Sequence, residues 1–130
     1  MIYGIGIDIV EVGRIERAYE RWGLRFAEKI LGPAELDQFA VTKAPVRFLA
    51  MRFAAKEAAS KAFGTGFKQG VSPRQIEVQH NRAGKPSFVF SGRVAERARQ
   101  ENVGASFVSM ADEREYAIAY AVLEQWGNRS

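Results

Sequence analysis

Two carboxylates and one amine in this chain are spaced as if for chemistry. Glu57 and Lys61 lie four apart in the run Arg52-Phe53-Ala54-Ala55-Lys56-Glu57-Ala58-Ala59-Ser60-Lys61, and Asp8 follows Gly4-Ile5-Gly6-Ile7 near the start. A spacing of four puts Glu57 and Lys61 on one helix face. There they either form an ion pair that contributes about 0.3 kcal/mol to the helix or serve a common ligand. If Asp8 and Glu57 meet in space, two carboxylates without histidine or cysteine make a poor zinc site. They suit magnesium, which takes one or two carboxylates and fills its remaining positions with water and phosphate oxygens. Lys61, one turn beyond Glu57, could hold the same phosphate as a point charge. The alternative for Asp8 is an N-cap on the helix that follows it.

The elements that must position these groups are legible in outline. Residues 46–63 contain no Gly or Pro and are rich in Ala, Lys, Glu, Met and Leu, which predicts a helix. Pro45 suits its first turn, and Gly64 and Gly66 suit its end. Apolar residues cover most of its circumference, so it should run through the interior. Ala50, Ala54 and Ala58 flank Glu57 and leave a small-residue face that another group could approach. Residues 2–9 alternate as a strand, with Ile5, Ile7 and Ile9 expected to face the core and Gly4, Gly6 and Asp8 the other way. Two glycines beside an acid leave backbone bare for a close neighbour.

A helix over 11–22 carries the apolar stripe Val12, Ile15, Ala18, Tyr19 and Trp22. Opposite stand Arg14, Arg17 and Arg21, which either bind an acidic partner helix or form a solvated face balanced by Glu11, Glu16 and Glu20. Short helices follow over 25–31 and 33–39. Strands at 75–80 and 87–90 make a hairpin around the turn 81–85, and a helix covers 93–101. A last hairpin joins 105–110 to 115–124, whose second strand is expected to be buried on both faces. The tail 125–130 should fray. The order of elements describes a single α+β domain over 1–130.

Composition narrows the partners. The 130 residues carry a net charge of +4, so an anionic partner is expected: a nucleic acid, an acidic protein or a phosphorylated small molecule. No basic block or recognisable nucleic-acid motif is present, and neither a P-loop nor the kinase motif set occurs. No apolar run approaches the ~20 residues of a membrane span, and the start of the chain lacks a secretory-signal layout. Cysteine is absent, which removes disulfides and thiolate chemistry. A cytoplasmic protein without membrane or nucleic-acid contacts is the expectation. The single histidine, His80, stands at a strand end with no second ligand nearby and reads as a surface residue.

Gly4-Ile5-Gly6-Ile7-Asp8-Ile9-Val10-Glu11 with Arg14-Ile15, and Arg52-Phe53-Ala54-Ala55-Lys56-Glu57-Ala58 through Lys61-Ala62-Phe63-Gly64-Thr65-Gly66, closely resemble the holo-[acyl-carrier-protein] synthase family. These are the small bacterial 4'-phosphopantetheinyl transferases. The likeness extends to Gly84-Lys85-Pro86 and to Glu115-Tyr116-Ala117 in the last hairpin. It implies the transferase fold, a buried central helix packed on antiparallel strands. It also implies transfer of 4'-phosphopantetheine from coenzyme A to a serine of apo-acyl carrier protein, releasing adenosine 3',5'-bisphosphate, for fatty acid biosynthesis.

By the same resemblance Asp8 and Glu57 match magnesium ligands, and Lys61 matches a lysine at the transferred phosphate. Arg52, Lys85 and Pro86 are expected to help bind coenzyme A. Arg14 matches an arginine facing the carrier protein's acidic helix, and Arg17 and Arg21 extend that face. A homotrimer with shared active sites is implied as well. One position departs from the pattern: Phe107 stands where many members have histidine. The proton of the acceptor serine must then go elsewhere, to Glu57 or a magnesium-bound water. The reading from another class is a non-catalytic basic domain that binds nucleic acid or an acidic protein, with Asp8 as a cap and Glu57–Lys61 as a structural pair.

Overall fold

The structure is a computed structural model and describes residues 1–127. Its elements follow the expected order: β1 (Ile2–Glu11), α1 (Val12–Trp22), α2 (Leu24–Ile30), α3 (Pro33–Phe39), α4 (Pro45–Phe63), β2 (Ile76–His80), β3 (Pro86–Phe90), α5 (Gly92–Gln100), β4 (Val103–Asp112) and β5 (Tyr116–Gln125). A 3₁₀ turn at Pro73–Gln75 precedes β2. The strands form an antiparallel sheet in the order β1-β5-β4 and a separate hairpin of β2 and β3. Pro45 occupies the first turn of α4, and Gly64 closes it at φ 83°, in the left-handed region where a side chain is strained.

Helix α4 lies against the β1-β5-β4 sheet at unusually close range. Side chains added at Gly4 and Gly6 would place their Cβ atoms 2.0 Å from the Ala62 carbonyl oxygen and 1.9 Å from that of Ala58. The group that approaches the bare backbone of β1 is therefore the chain's own central helix. Register explains the partners: Gly4, Gly6, Asp8 and Val10 pair with Leu123, Ala121, Ala119 and Ala117 on β5, so these eight residues share one sheet face. The three β5 alanines and Ala50, Ala54 and Ala58 on α4 are buried. Small residues on both sides of the contact allow the helix and sheet to pack at backbone distance.

Two expectations reverse for this reason. Ile5, Ile7 and Ile9 do not face the core: they are 55%, 53% and 60% exposed, because the helix needs the glycine side of the strand. β5 is likewise buried on one face only, and Tyr116, Ile118 and Tyr120 remain exposed opposite the alanines. Nor is the Ala50/Ala54/Ala58 face open to a ligand or subunit, since all three side chains are spent on internal packing. At the C-terminal end, Gln125 completes β5 and the Trp126 backbone N–H donates to the Asn102 carbonyl at 3.0 Å. Of the segment expected to fray, residues 128–130 lie outside the described residues.

The other side of α4 holds a buried ion cluster that its sequence does not advertise. Lys56 is fully buried, and its ammonium donates to Glu35 Oε1 at 2.6 Å and to the carbonyls of Pro73 and Ile76 at 2.8 and 2.6 Å. Glu35 also accepts from the backbone N–H groups of Gly32 at 3.0 Å and Val78 at 2.9 Å, and Arg52 Nε lies 3.2 Å from its second oxygen. Burial drives the Lys56 ammonium toward its neutral form, and Glu35 opposes that. Removing either charge from such a cluster costs about 3–5 kcal/mol, because the other is left buried and unpaired.

The tight β1–α4 contact yields a direct expectation. Gly6→Ala should destabilise the protein by about 3 kcal/mol or more, since a carbonyl rather than a flexible side chain blocks the new methyl group. Chemical denaturation monitored by circular dichroism measures this, and an unchanged midpoint would contradict the packing.

Candidate active site

Asp8 projects from the glycine face of β1 toward α4, which brings it to Glu57 and Lys61. Lys61 Nζ donates to Asp8 Oδ1 at 2.9 Å and to the Ile7 carbonyl at 3.1 Å. The i,i+4 pair with Glu57 that the helix spacing allows is not formed; Lys61 pairs across elements instead. Asp8 is not an N-cap either: β1 continues to Glu11, which occupies the cap position of α1 without a side-chain capping bond. Asp8, Glu57, Arg14, Ile15, Ala18, Phe26 and Phe53 line one cleft of about 310 Å³ between β1, α1, α2 and α4.

The electrostatics of this cleft are unbalanced. Glu57 holds its proton more tightly than an ordinary glutamate, first because it is partly buried and then because Asp8 is near; Lys61 and Arg14 offset part of this. Its carboxylate takes no direct ion pair among the described residues, whereas Asp8 has Lys61. A partly buried carboxylate close to a second carboxylate creates a demand for further positive charge. Among the described residues no group of three or more His, Cys, Asp or Glu side chains gathers anywhere. The donor set here is two carboxylates, hard oxygen ligands that leave most positions of a cation to water or substrate. That fits magnesium and does not fit zinc.

The remaining expected site residues separate. Of the three α1 arginines, only Arg14 enters the cleft. Arg17 turns back to Glu11 at 3.3 Å, and the Arg21 guanidinium lies 5.0 Å from the centre of the Trp22 ring. Helix α1 ends at Gly23, yet Arg25 and Lys29 of α2 join Ala18, Trp22 and Phe26 around an adjoining groove of about 320 Å³. Arg52 does not reach the cleft of its own chain. It is 6% exposed, donates to Gln38 Oε1 at 2.9 Å and lies over Phe48. It lines a different depression, shared with Thr42, Arg47, His80 and Met110.

Lys85 and Pro86 sit at the β2–β3 hairpin, and neither lines the cleft. Phe107 projects from β4 in register with Val122, which pairs with Ile5, on the sheet face turned away from α4. His80 is exposed at the end of β2, as expected.

Sequence reasoning missed the apolar wall of Phe26 and Phe53, and the charge cluster of Glu35 and Lys56. Glu35 was detectable as the third residue of a helix opened by Gly32-Pro33, the position from which a glutamate reaches back to the cap N–H.

Comparison with known proteins agrees with this geometry. A model of the 4'-phosphopantetheinyl transferase superfamily matches residues 4–121. A holo-[acyl-carrier-protein] synthase from Halorhodospira halophila is 56% identical over 123 residues, covering 95% of this chain and 98% of that protein. One from Vibrio cholerae is 50% identical over 125 residues, covering 96% and 99%. The crystal structure of the Neisseria meningitidis synthase superposes with a TM-score of 0.92 at 42% identity, covering 96% of this chain and all of that one. That of the Helicobacter pylori synthase, in complex with coenzyme A, superposes at 0.81 with 30% identity, covering 92% and 99%.

The raised proton affinity of Glu57 has a stability consequence. A carboxyl whose proton affinity is higher in the folded than in the unfolded state costs stability once pH rises above its folded value. The cost disappears below the unfolded value. Metal-free Glu57→Gln should therefore melt roughly 2–4 °C above the parent near neutral pH. The two curves should converge in acid below the ordinary carboxylate range. A scan of melting temperature against pH, in chelator, tests both halves.

Proposed function

The chain belongs to the 4'-phosphopantetheinyl transferase superfamily, and on that premise we propose how its own residues perform the transfer. The reaction moves the 4'-phosphopantetheine group of coenzyme A onto a serine hydroxyl of apo-acyl carrier protein, as the names of its holo-[acyl-carrier-protein] synthase relatives indicate. The observation that carries our assignment of residues is the convergence of Asp8, Glu57, Lys61 and Arg14 from three elements. A non-catalytic basic domain would use Asp8 as a cap and pair Glu57 with Lys61, and the structure does neither.

Asp8 and Glu57 would hold magnesium, which when bound neutralises charge on the phosphate being transferred. Lys61 reaches the cleft on a half-exposed side chain and would bind a non-bridging phosphate oxygen. The serine oxygen forms a bond to the phosphorus bearing pantetheine, and the bond from that phosphorus to the bridging diphosphate oxygen breaks. Adenosine 3',5'-bisphosphate leaves with the electron pair. With Phe107 unable to accept a proton, the carboxylate of Glu57 in the cleft would take the one released by the serine. The net charge of +4 draws in both the diphosphate and an acidic carrier.

The carrier's acidic helix would lie along the groove beside Arg14, with Arg25 and Lys29 supplying charge and Ala18, Trp22 and Phe26 an apolar floor. Arg17 and Arg21, which line neither depression, would add charge along the same helix. Arg52, Lys85 and Pro86 would contribute to coenzyme A binding from a neighbouring copy, because none of them lines the cleft of its own chain. The exposed face of Ile5, Ile7, Ile9, Phe107, Ile118 and Tyr120 supports such an assembly, being a contiguous apolar surface on two edge strands and the strand between them. The resemblance sets the number of copies at three. No helix among the described residues is long and apolar enough to cross a membrane. We place the enzyme in the cytoplasm, serving fatty acid biosynthesis.

Incubation with coenzyme A, magnesium and apo-carrier protein should add one phosphopantetheine mass to the carrier, read by mass spectrometry. Asp8→Asn should lower kcat/KM by roughly 10²-fold or more. Arg14→Glu should act mainly through the KM for the carrier. No mass gain on a cognate carrier would overturn the assignment. In sedimentation, the parent should run at about three times the 14.5 kDa chain mass, and Ile5→Lys should shift it toward the monomer. A variant that stays fully assembled would exclude this face as the interface.

A further inference from the structure

We infer that Lys61 is the resident counter-cation of Asp8, which a divalent cation must displace, so that loading the cleft with metal frees the ammonium for the substrate phosphate. This rests on the metal reading of Asp8 and Glu57 given above. The helix spacing offers Lys61 a partner in Glu57, yet its ammonium crosses to Asp8 Oδ1 at 2.9 Å and the Ile7 carbonyl at 3.1 Å. Asp8 is the more enclosed end of that pair, its side chain only 15% exposed, while the Lys61 side chain is 50% exposed. The ammonium therefore covers a carboxylate that is largely withdrawn from water, at the end of a stem that can swing aside without opening the core.

Charge decides what happens next. Asp8 and Glu57 carry two negative charges, and Lys61 and Arg14 already offset them in the same cleft. A dication that takes Asp8 as a ligand meets the ammonium on the same carboxylate, in surroundings less polar than water. The two cations repel, and metal alone binds weakly. A diphosphate alters the balance by giving the displaced ammonium a new anionic partner. Metal and diphosphate then bind with positive coupling, and by linkage each strengthens the other by the same factor. Lys61 is the element through which they are coupled: it opposes the metal in the empty cleft and supports the substrate in the loaded one.

The probe is Mn²⁺ alone, with free metal counted by electron paramagnetic resonance at neutral pH and without coenzyme A. Lys61→Met should bind Mn²⁺ roughly three- to tenfold more tightly than the parent, the range expected when one partly exposed competing charge is removed. Lys61→Arg, which keeps the charge, should stay near the parent value. Asp8→Asn identifies the site. If it abolishes binding while Lys61→Met binds no more tightly than the parent, the inference fails and the metal reading stands. If Mn²⁺ binding is indifferent to Asp8→Asn, both fail.

Discussion

The backbone contact between β1 and α4 is the constraint on which the rest of this molecule depends. Because Gly4 and Gly6 have no side chains, the carbonyls of Ala58 and Ala62 approach the strand to a distance that no Cβ could tolerate. Small residues prevail on that side: Ala117, Ala119 and Ala121 on β5 are buried, as are Ala50, Ala54 and Ala58 on α4. The first position along β1 where a larger polar side chain reappears before Val10 is Asp8. It comes out one turn from where the helix carries Glu57 and Lys61. The packing that makes the core also assembles the cleft.

Helix α4 handles charge in two opposite ways on two faces. Toward α3 and β2, Lys56 and Arg52 meet Glu35, and the Lys56 and Glu35 side chains are satisfied by backbone as well as by each other. The Lys56–Glu35 pair is closed, its charged atoms engaged by one another and by backbone, and breaking it is costly. Toward β1, Glu57 has no direct ion pair among the described residues and lies near Asp8, so that burial and a like charge hold its proton affinity up. The closed pair anchors the helix, and the open one leaves a partly buried carboxylate beside a like charge.

The same contact determines what the outside of the sheet is like. Turning the glycines inward turns Ile5, Ile7 and Ile9 outward, and their cross-strand partners Val122, Tyr120 and Ile118 follow by register. The result is a contiguous apolar surface, and it carries Phe107 with it. Arg52 and the Lys85-Pro86 turn stay apart from the cleft of their own chain.

Much of this was determined by sequence alone. The absence of helix breakers between Pro45 and Gly64 determined α4, alternation determined β1 and β5, and turn residues determined the hairpins. Residue types singled out Asp8, Glu57 and Lys61, which the fold brings together. What periodicity could not decide was which side of a strand faces inward, because Gly-Ile alternation reads equally well either way until a helix is known to need the glycine side. It could not decide partners either. Spacing offered Glu57 to Lys61, and only the arrival of β1 gave that lysine to Asp8. Nor could it distinguish Lys56, locked in the core, from Lys61 five residues later, since burial is settled by what packs against a helix rather than by the residues along it.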